Sequence, residues 1–134
     1  MTLTFVDTGV LIAATRGTAE ESRRAKTILF DPSRSFASSV FVRLEVLPKP
    51  IYFRRRAEAA FYRAFFRRVL VWAPFDMTMV VAAYREAIAT GMAALDALHV
   101  AAAVRVGAAE FITTEHSTKP IHRAHGVRVL TIHS

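Results

Sequence analysis

The stretch Leu3-Thr4-Phe5-Val6-Asp7-Thr8-Gly9-Val10-Leu11-Ile12-Ala13-Ala14 opens with a short apolar run, is broken by one acid, and resumes apolar. A run as short as Leu3–Val6 reads as a buried strand, and the second run, from Val10 to Ala14, starts a helix. Asp7 then stands at a strand's carboxyl end, where open α/β sheets gather their ligands. The alternative for this residue is a plain helix N-cap.

The pattern repeats along the chain. Glu20 to Phe30 has helical periodicity and stops at Asp31-Pro32. Ser35-Phe36-Ala37-Ser38 reads as a second strand, and Val40 to Leu47 as an apolar helix broken by Pro48 and Pro50. Residues 51 to 68 read as one long basic helix, followed by a strand at Val69-Leu70-Val71-Trp72 that Pro74 ends. Asp76 caps a helix running to about Ala89, Gly91 interrupts, and a further helix from Ala93 to Val106 ends at Gly107. Glu110 to Thr114 and Val127 to Thr131 read as the last strands. Strands alternating with helices predict a single α/β domain over residues 1–134: a three-layer α/β/α sandwich around a mostly parallel central sheet.

Composition excludes several classes. The chain has 134 residues, 53% of them hydrophobic, enough to bury a sizeable core and too few for two full-sized domains. Cysteine is absent, which removes disulfide scaffolds, thiolate zinc sites and a cysteine nucleophile, and fits a reducing, cytoplasmic compartment. The apolar span around Asp96 is short of a membrane crossing, and Met1-Thr2-Leu3-Thr4-Phe5 lacks the basic flank and long apolar run of a signal peptide. Eighteen Lys and Arg against 11 acids give a formal charge of +7, a balance that attracts polyanions, nucleic acid first among them.

So few acids can be weighed one by one. Glu20, Glu21, Glu58 and Glu86 read as solvated surface charges, Asp31 and Asp76 as turn or cap residues, and Glu110 lies near a strand start. Asp96 is the only charge between Ala87 and Val104. A lone carboxylate on so apolar a helix is costly unless it is paired, bound to a metal, or held by the helix N-terminus. Glu45 has apolar neighbours in Phe41-Val42-Arg43-Leu44-Glu45-Val46-Leu47, and otherwise reads as a surface acid beside Arg43. Glu115 follows the strand Phe111-Ile112-Thr113-Thr114, an edge of the kind Asp7 occupies, or is a loop acid. If Asp7, Glu45, Asp96 and Glu115 converge, each pair about 5 Å apart repels by roughly 3 kcal/mol at an effective dielectric near 20. Such a group needs cations. Oxygen-only ligands suit hard Mg²⁺ or Mn²⁺, which serve phosphoryl displacement.

Four ordered segments carry a resemblance: Phe5-Val6-Asp7-Thr8, Leu44-Glu45-Val46-Leu47, Leu95-Asp96-Ala97-Leu98-His99 and Phe111-Ile112-Thr113-Thr114-Glu115. In order and spacing the chain resembles PIN-domain proteins of the VapC-like toxin type over nearly its whole length. The resemblance implies a metal-dependent endoribonuclease, the toxin of a toxin–antitoxin pair, with homodimers common. It implies Asp7, Glu45 and Asp96 as core metal ligands and Glu115 as a fourth, where the family usually has Asp. Thr8 and Thr114 match hydroxyl positions that orient water or a carboxylate. The implied cleavage by metal-activated water leaves a 5′-phosphate and a 3′-hydroxyl.

On the basic helix, Phe61, Tyr62, Phe65 and Val69 share one face, read as core or dimer contact. Arg56, Arg63 and Arg67 share the other, which reads as a grip for RNA phosphates, a dock for an acidic antitoxin tail, or a solvated face. His99 lies one turn from Asp96, where it could touch the site, and reads first as a core histidine. His122 and His125 have metal-like spacing without supporting ligands. Two rivals stand beside the nuclease. Asp7-Thr8-Gly9 spells an aspartic-protease signature, but those enzymes are almost all β. A catalytically weakened PIN-like module that binds RNA or protein is the other, with Glu115 as the mark of a decaying site.

Overall fold

The computed structural model describes residues 1–133. Among these the chain forms β1 (Thr2–Val6), α1 (Thr8–Arg16), α2 (Ala19–Leu29), β2 (Arg34–Ser38), α3 (Val40–Val46), α4 (Pro48–Tyr52), α5 (Arg56–Arg68), β3 (Val69–Trp72), α6 (Met77–Thr90), α7 (Ala94–Arg105), β4 (Glu110–Thr113) and β5 (Arg128–Thr131), with a 3₁₀ turn at Pro120–Arg123. The five strands make one sheet in the order β3-β2-β1-β4-β5, and every pairing is parallel. Right-handed crossovers then put α1–α5 on one face and α6 and α7 on the other. Packing agrees: α1 contacts α2, α3 and α5, while α6 packs on α7. This is the expected α/β/α sandwich.

The core lies on both sides of β1 and β4. Phe5 and Phe111, paired in register, stack with centroids 5.6 Å apart, and Phe36 meets Phe65 edge-on at 5.4 Å. Tyr62 is fully buried, and its hydroxyl reaches Thr15 Oγ1 and Glu58 Oε2, each at 2.8 Å, which ties α5 to α1. Burial, first of all, pushes the Tyr62 phenol up to about 12.

The strand order matters for the site. The chain leaves β1 toward β2 and leaves β4 toward β5, in opposite directions along the sheet. The carboxyl ends of β1 and β4 therefore form a topological switch point, where a crevice opens.

Three expectations change. The basic segment 51–68 is not one helix: α4 ends at Tyr52, and Arg54 adopts φ 56°, a left-handed conformation that breaks the ladder before α5 begins at Arg56. Pro48 ends α3 but also starts α4 at its first position, where a missing N–H costs nothing. Glu58 and Glu86 are not solvated: only 12% and 15% of their side chains is exposed, one holding Tyr62 and the other the His125 N–H at 2.7 Å. Glu110 is likewise buried, at the far end of the sheet from the switch point. It accepts from Thr4 Oγ1 at 3.0 Å and from Arg34 Nε at 2.8 Å, and Arg34 continues to Asp31 at 2.7 Å.

Candidate metal centre

Asp7 follows β1 directly and is 6% exposed. Its backbone N–H donates to the Ile112 carbonyl at 2.8 Å, so the β1–β4 ladder holds the residue in place. It also caps α1, but not in the usual way. The ordinary caps here, Thr18, Ser39 and Asp76, each accept from the N–H three residues on. Asp7 Oδ1 instead accepts from the adjacent Thr8 N–H at 2.8 Å, and Oδ2 accepts from Thr113 Oγ1 at 3.0 Å. Capping alone does not account for this geometry; the carboxylate is turned toward the end of β4.

Gly9 makes that approach possible. A Cβ at Gly9 would stand 2.3 Å from Thr114 Oγ1, closer than any side-chain carbon tolerates. The hydroxyl that touches Asp7 is therefore Thr113, and Thr114 packs against Gly9. Thr8 contributes its N–H and a long 3.4 Å hydroxyl contact to the same Asp7 oxygen.

Glu45 projects from α3, whose Val42 and Val46 face the core. Its partner is not Arg43. Glu45 Oε1 accepts from Nε2 of His99, a residue 1% exposed on α7. The carboxylate has no hydrogen to give, so Nε2 carries it. Nδ1 of His99 is buried without a partner among the described residues. Asp96 lies in the first turn of α7, one turn before His99. Glu115 lies two residues beyond β4, its N–H bonded to Thr113 Oγ1 at 3.1 Å.

The four acids feel one another. Burial raises the Asp96 carboxyl to about 6; Asp7 and Glu115 push the same way, His99 opposes, and Glu45 adds to the rise. Burial also raises Asp7; His99 and the bonds from Thr113 and Thr8 pull it back, and Glu45 pushes it up. The structure thus brings Asp7, Glu45, Asp96 and Glu115 into one electrostatic neighbourhood at the switch point.

That neighbourhood fits a hard cation in donor type and in charge. No three Asp, Glu or His side chains among the described residues form a ready coordination cage. Mg²⁺ rarely uses such cages; it takes one or two carboxylates, keeps several waters and binds substrate phosphates.

The sequence pattern of the family described as PIN domain matches residues 4–119. The chain belongs to the PIN-domain family. No curated relative matches it in sequence. This PIN-domain chain is similar in fold to a chain in the crystal structure of VapBC2 from Rickettsia felis bound to a DNA fragment from their promoter. The TM-score is 0.70 at 12% identity, covering 97% of this chain and 98% of that one. It is also similar to a chain in the crystal structure of DNA-bound VapBC from Salmonella typhimurium, with TM-score 0.63, 17% identity and 98% of each chain covered.

His99 is buried, as a core histidine should be, and it also touches the acidic group through Glu45. Its spacing from Asp96 was visible, but its partner Glu45 lies 54 positions away. The basic residues also divide. Arg63 and Arg67 line a groove with Arg43, Leu47, Phe66 and Trp72, while Arg56 lines another with Lys26, Arg55 and Glu58. Seven residues along α5 separate Arg56 from Arg63 by about 10 Å. His122 bonds to the Glu115 carbonyl at 3.1 Å and His125 pairs with Glu86 at 3.3 Å, so the two do not share a site.

Proposed function

We propose that this PIN-domain protein is a VapC-like toxin: a divalent-metal-dependent endoribonuclease with a cognate antitoxin, acting as a homodimer. What supports the reading is the contact pattern at the switch point of the sheet: Thr113 Oγ1 bonds both Asp7 and the Glu115 N–H, and His99, one turn after Asp96, bonds Glu45. The fold likeness to VapBC chains supports an antitoxin partner, and the +7 charge supports an RNA substrate.

In this reading one or two of Asp7, Glu45, Asp96 and Glu115 would hold Mg²⁺ or Mn²⁺ directly and the others through its waters, and the ion would offset their charge and supply the Lewis acidity that phosphodiester hydrolysis needs. The protein's own part is to fix the oxygens. Thr8 and Thr113 hold the two oxygens of Asp7 from opposite sides. His99 fixes Glu45 through Nε2. The buried floor of Phe5 and Phe111 beneath the site excludes water from one side. In the implied hydrolysis the water oxygen would join phosphorus as the P–O3′ bond breaks, one water proton would be lost to solvent and another taken up by the leaving 3′-oxygen, giving a 5′-phosphate and a 3′-hydroxyl.

The test is RNA cleavage by the purified chain with Mg²⁺ or Mn²⁺ and with EDTA. Cutting should require the divalent ion, and Asp7→Asn or Asp96→Asn should reduce it by at least about 100-fold, the scale set by loss of a principal electrostatic group. Parental rates in both variants would overturn the assignment.

A further inference from the structure

The groove lined by Arg43, Leu47, Arg63, Phe66, Arg67 and Trp72 lies apart from the acidic centre. Trp72 is the last residue of β3 and is 38% exposed. It packs on Phe66 with centroids 5.7 Å apart, and the Arg43 guanidinium lies 5.9 Å from the Phe66 ring. No carboxylate among the described residues forms an ion pair with Arg43, Arg63 or Arg67.

Place in the fold gives the groove a direction. All strands are parallel, so the end of β3 lies on the same sheet edge as Asp7 and Glu115. Only β2 separates β3 from β1, which puts the two ends roughly 10 Å apart at the usual strand spacing. Helix α3 spans the interval: it carries Glu45 of the acidic centre and, two residues earlier, Arg43 of the groove.

Guanidinium groups without acidic partners grip phosphates in a bidentate manner. An exposed indole offers a face on which any base can stack. An acidic peptide would suit the arginines but not the ring, whose negative face repels a carboxylate. We propose that this groove is a nucleotide subsite for single-stranded RNA, in which Trp72 stacks on a base and Arg43, Arg63 and Arg67 hold the flanking phosphates. It rests on the ribonuclease reading and extends it: the strand held at the acidic centre continues along the sheet edge into this groove.

Trp72 is the only tryptophan, so its fluorescence reports on the groove alone. The full chain in EDTA, where binding is read apart from cleavage, is titrated with a short oligouridylate, with an abasic oligomer of equal length, and with polyglutamate. The oligouridylate should quench the fluorescence, and the abasic oligomer should bind roughly tenfold more weakly without quenching, the loss expected for one stacked base. Trp72→Leu should weaken binding of labelled RNA by a similar factor, and Trp72→Phe should restore most of it. The Arg43→Ala, Arg67→Ala pair should lower the salt slope by about one unit per lost phosphate contact. Equal affinity for the abasic oligomer would overturn the proposal, as would unchanged RNA binding by a folded Trp72→Leu variant. Tighter binding of polyglutamate than of RNA would make the groove a protein-docking face and overturn it too. Quenching without any Mg²⁺-dependent cutting would support the groove while removing the nuclease; cutting without quenching would do the reverse.

Discussion

Replacing Asp96 by Asn should make the metal-free protein more stable near neutral pH, although it removes a site residue. The Asp96 carboxyl is raised from 3.8 to about 6, by burial first and then by Asp7 and Glu115, with His99 opposing and Glu45 adding. As pH rises through this window the unfolded chain releases the Asp96 proton while the native protein keeps it. The native state then binds more protons, so stability falls as pH rises, and the full cost is present above about pH 6. A gap of about two units corresponds to roughly 3 kcal/mol at 1.36 kcal/mol per unit. Solvent screening of a half-buried group reduces this to about 1–2 kcal/mol. Asn carries no such cost. Urea melts of the parent and Asp96→Asn in EDTA should therefore differ little at about pH 4, with the variant gaining about 1–2 kcal/mol at about pH 8. The corresponding rise in Tm is roughly 4–8 °C for a domain of this size. A variant less stable than the parent at the higher pH, or one with the same gain at both, would refute the claim that burial and the neighbouring acids raise the Asp96 carboxyl.

Gly9→Ala should destabilise the protein by about 1–3 kcal/mol, because its Cβ meets Thr114 Oγ1. Thr114→Ala in the same chain should recover most of that loss in a thermal melt, and no recovery would mean the clash lies elsewhere. Glu110→Gln should cost about 1–3 kcal/mol in urea unfolding, since it leaves the largely covered Arg34 guanidinium with one carboxylate instead of two. A neutral result would show Arg34 to be solvated. Tyr62→Phe should cost about 1–2 kcal/mol by leaving buried Glu58 without its hydroxyl donor, measured by the same melts.

Much of the fold could be read locally. The apolar run Leu3–Val6 ending in Asp7, the capping Asp76, and the glycines at 91 and 107 with positive φ all carry their instructions within a few residues. The break at Arg54 has no glycine to mark it; the end of α4 closes on itself there, Arg55 N–H donating to the Pro50 carbonyl at 2.8 Å and Arg54 N–H to the Ile51 carbonyl at 3.2 Å. The choice between Thr113 and Thr114 depends on alternation and register. Val6 pairs with Ile112, which brings Asp7 level with Thr113, and the next residue points the other way. The partners of His99 and Glu110 are long-range: Glu45 reaches one across 54 positions and Arg34 the other across 76. Nothing in the local sequence of either residue names its partner. The acids of the candidate site were legible from position: Asp7 and Glu115 follow apolar strands, and Glu45 and Asp96 interrupt apolar helical stretches.

The proposed function requires the acidic neighbourhood at the ends of β1 and β4 to act as a cation site. Calorimetric titration of Mn²⁺ into the parent, Asp7→Asn and Asp31→Asn tests it most directly. Saturable binding in the parent and in Asp31→Asn, lost in Asp7→Asn while that variant stays folded, is the expected result. Equal binding by all three, or none by the parent, would contradict it.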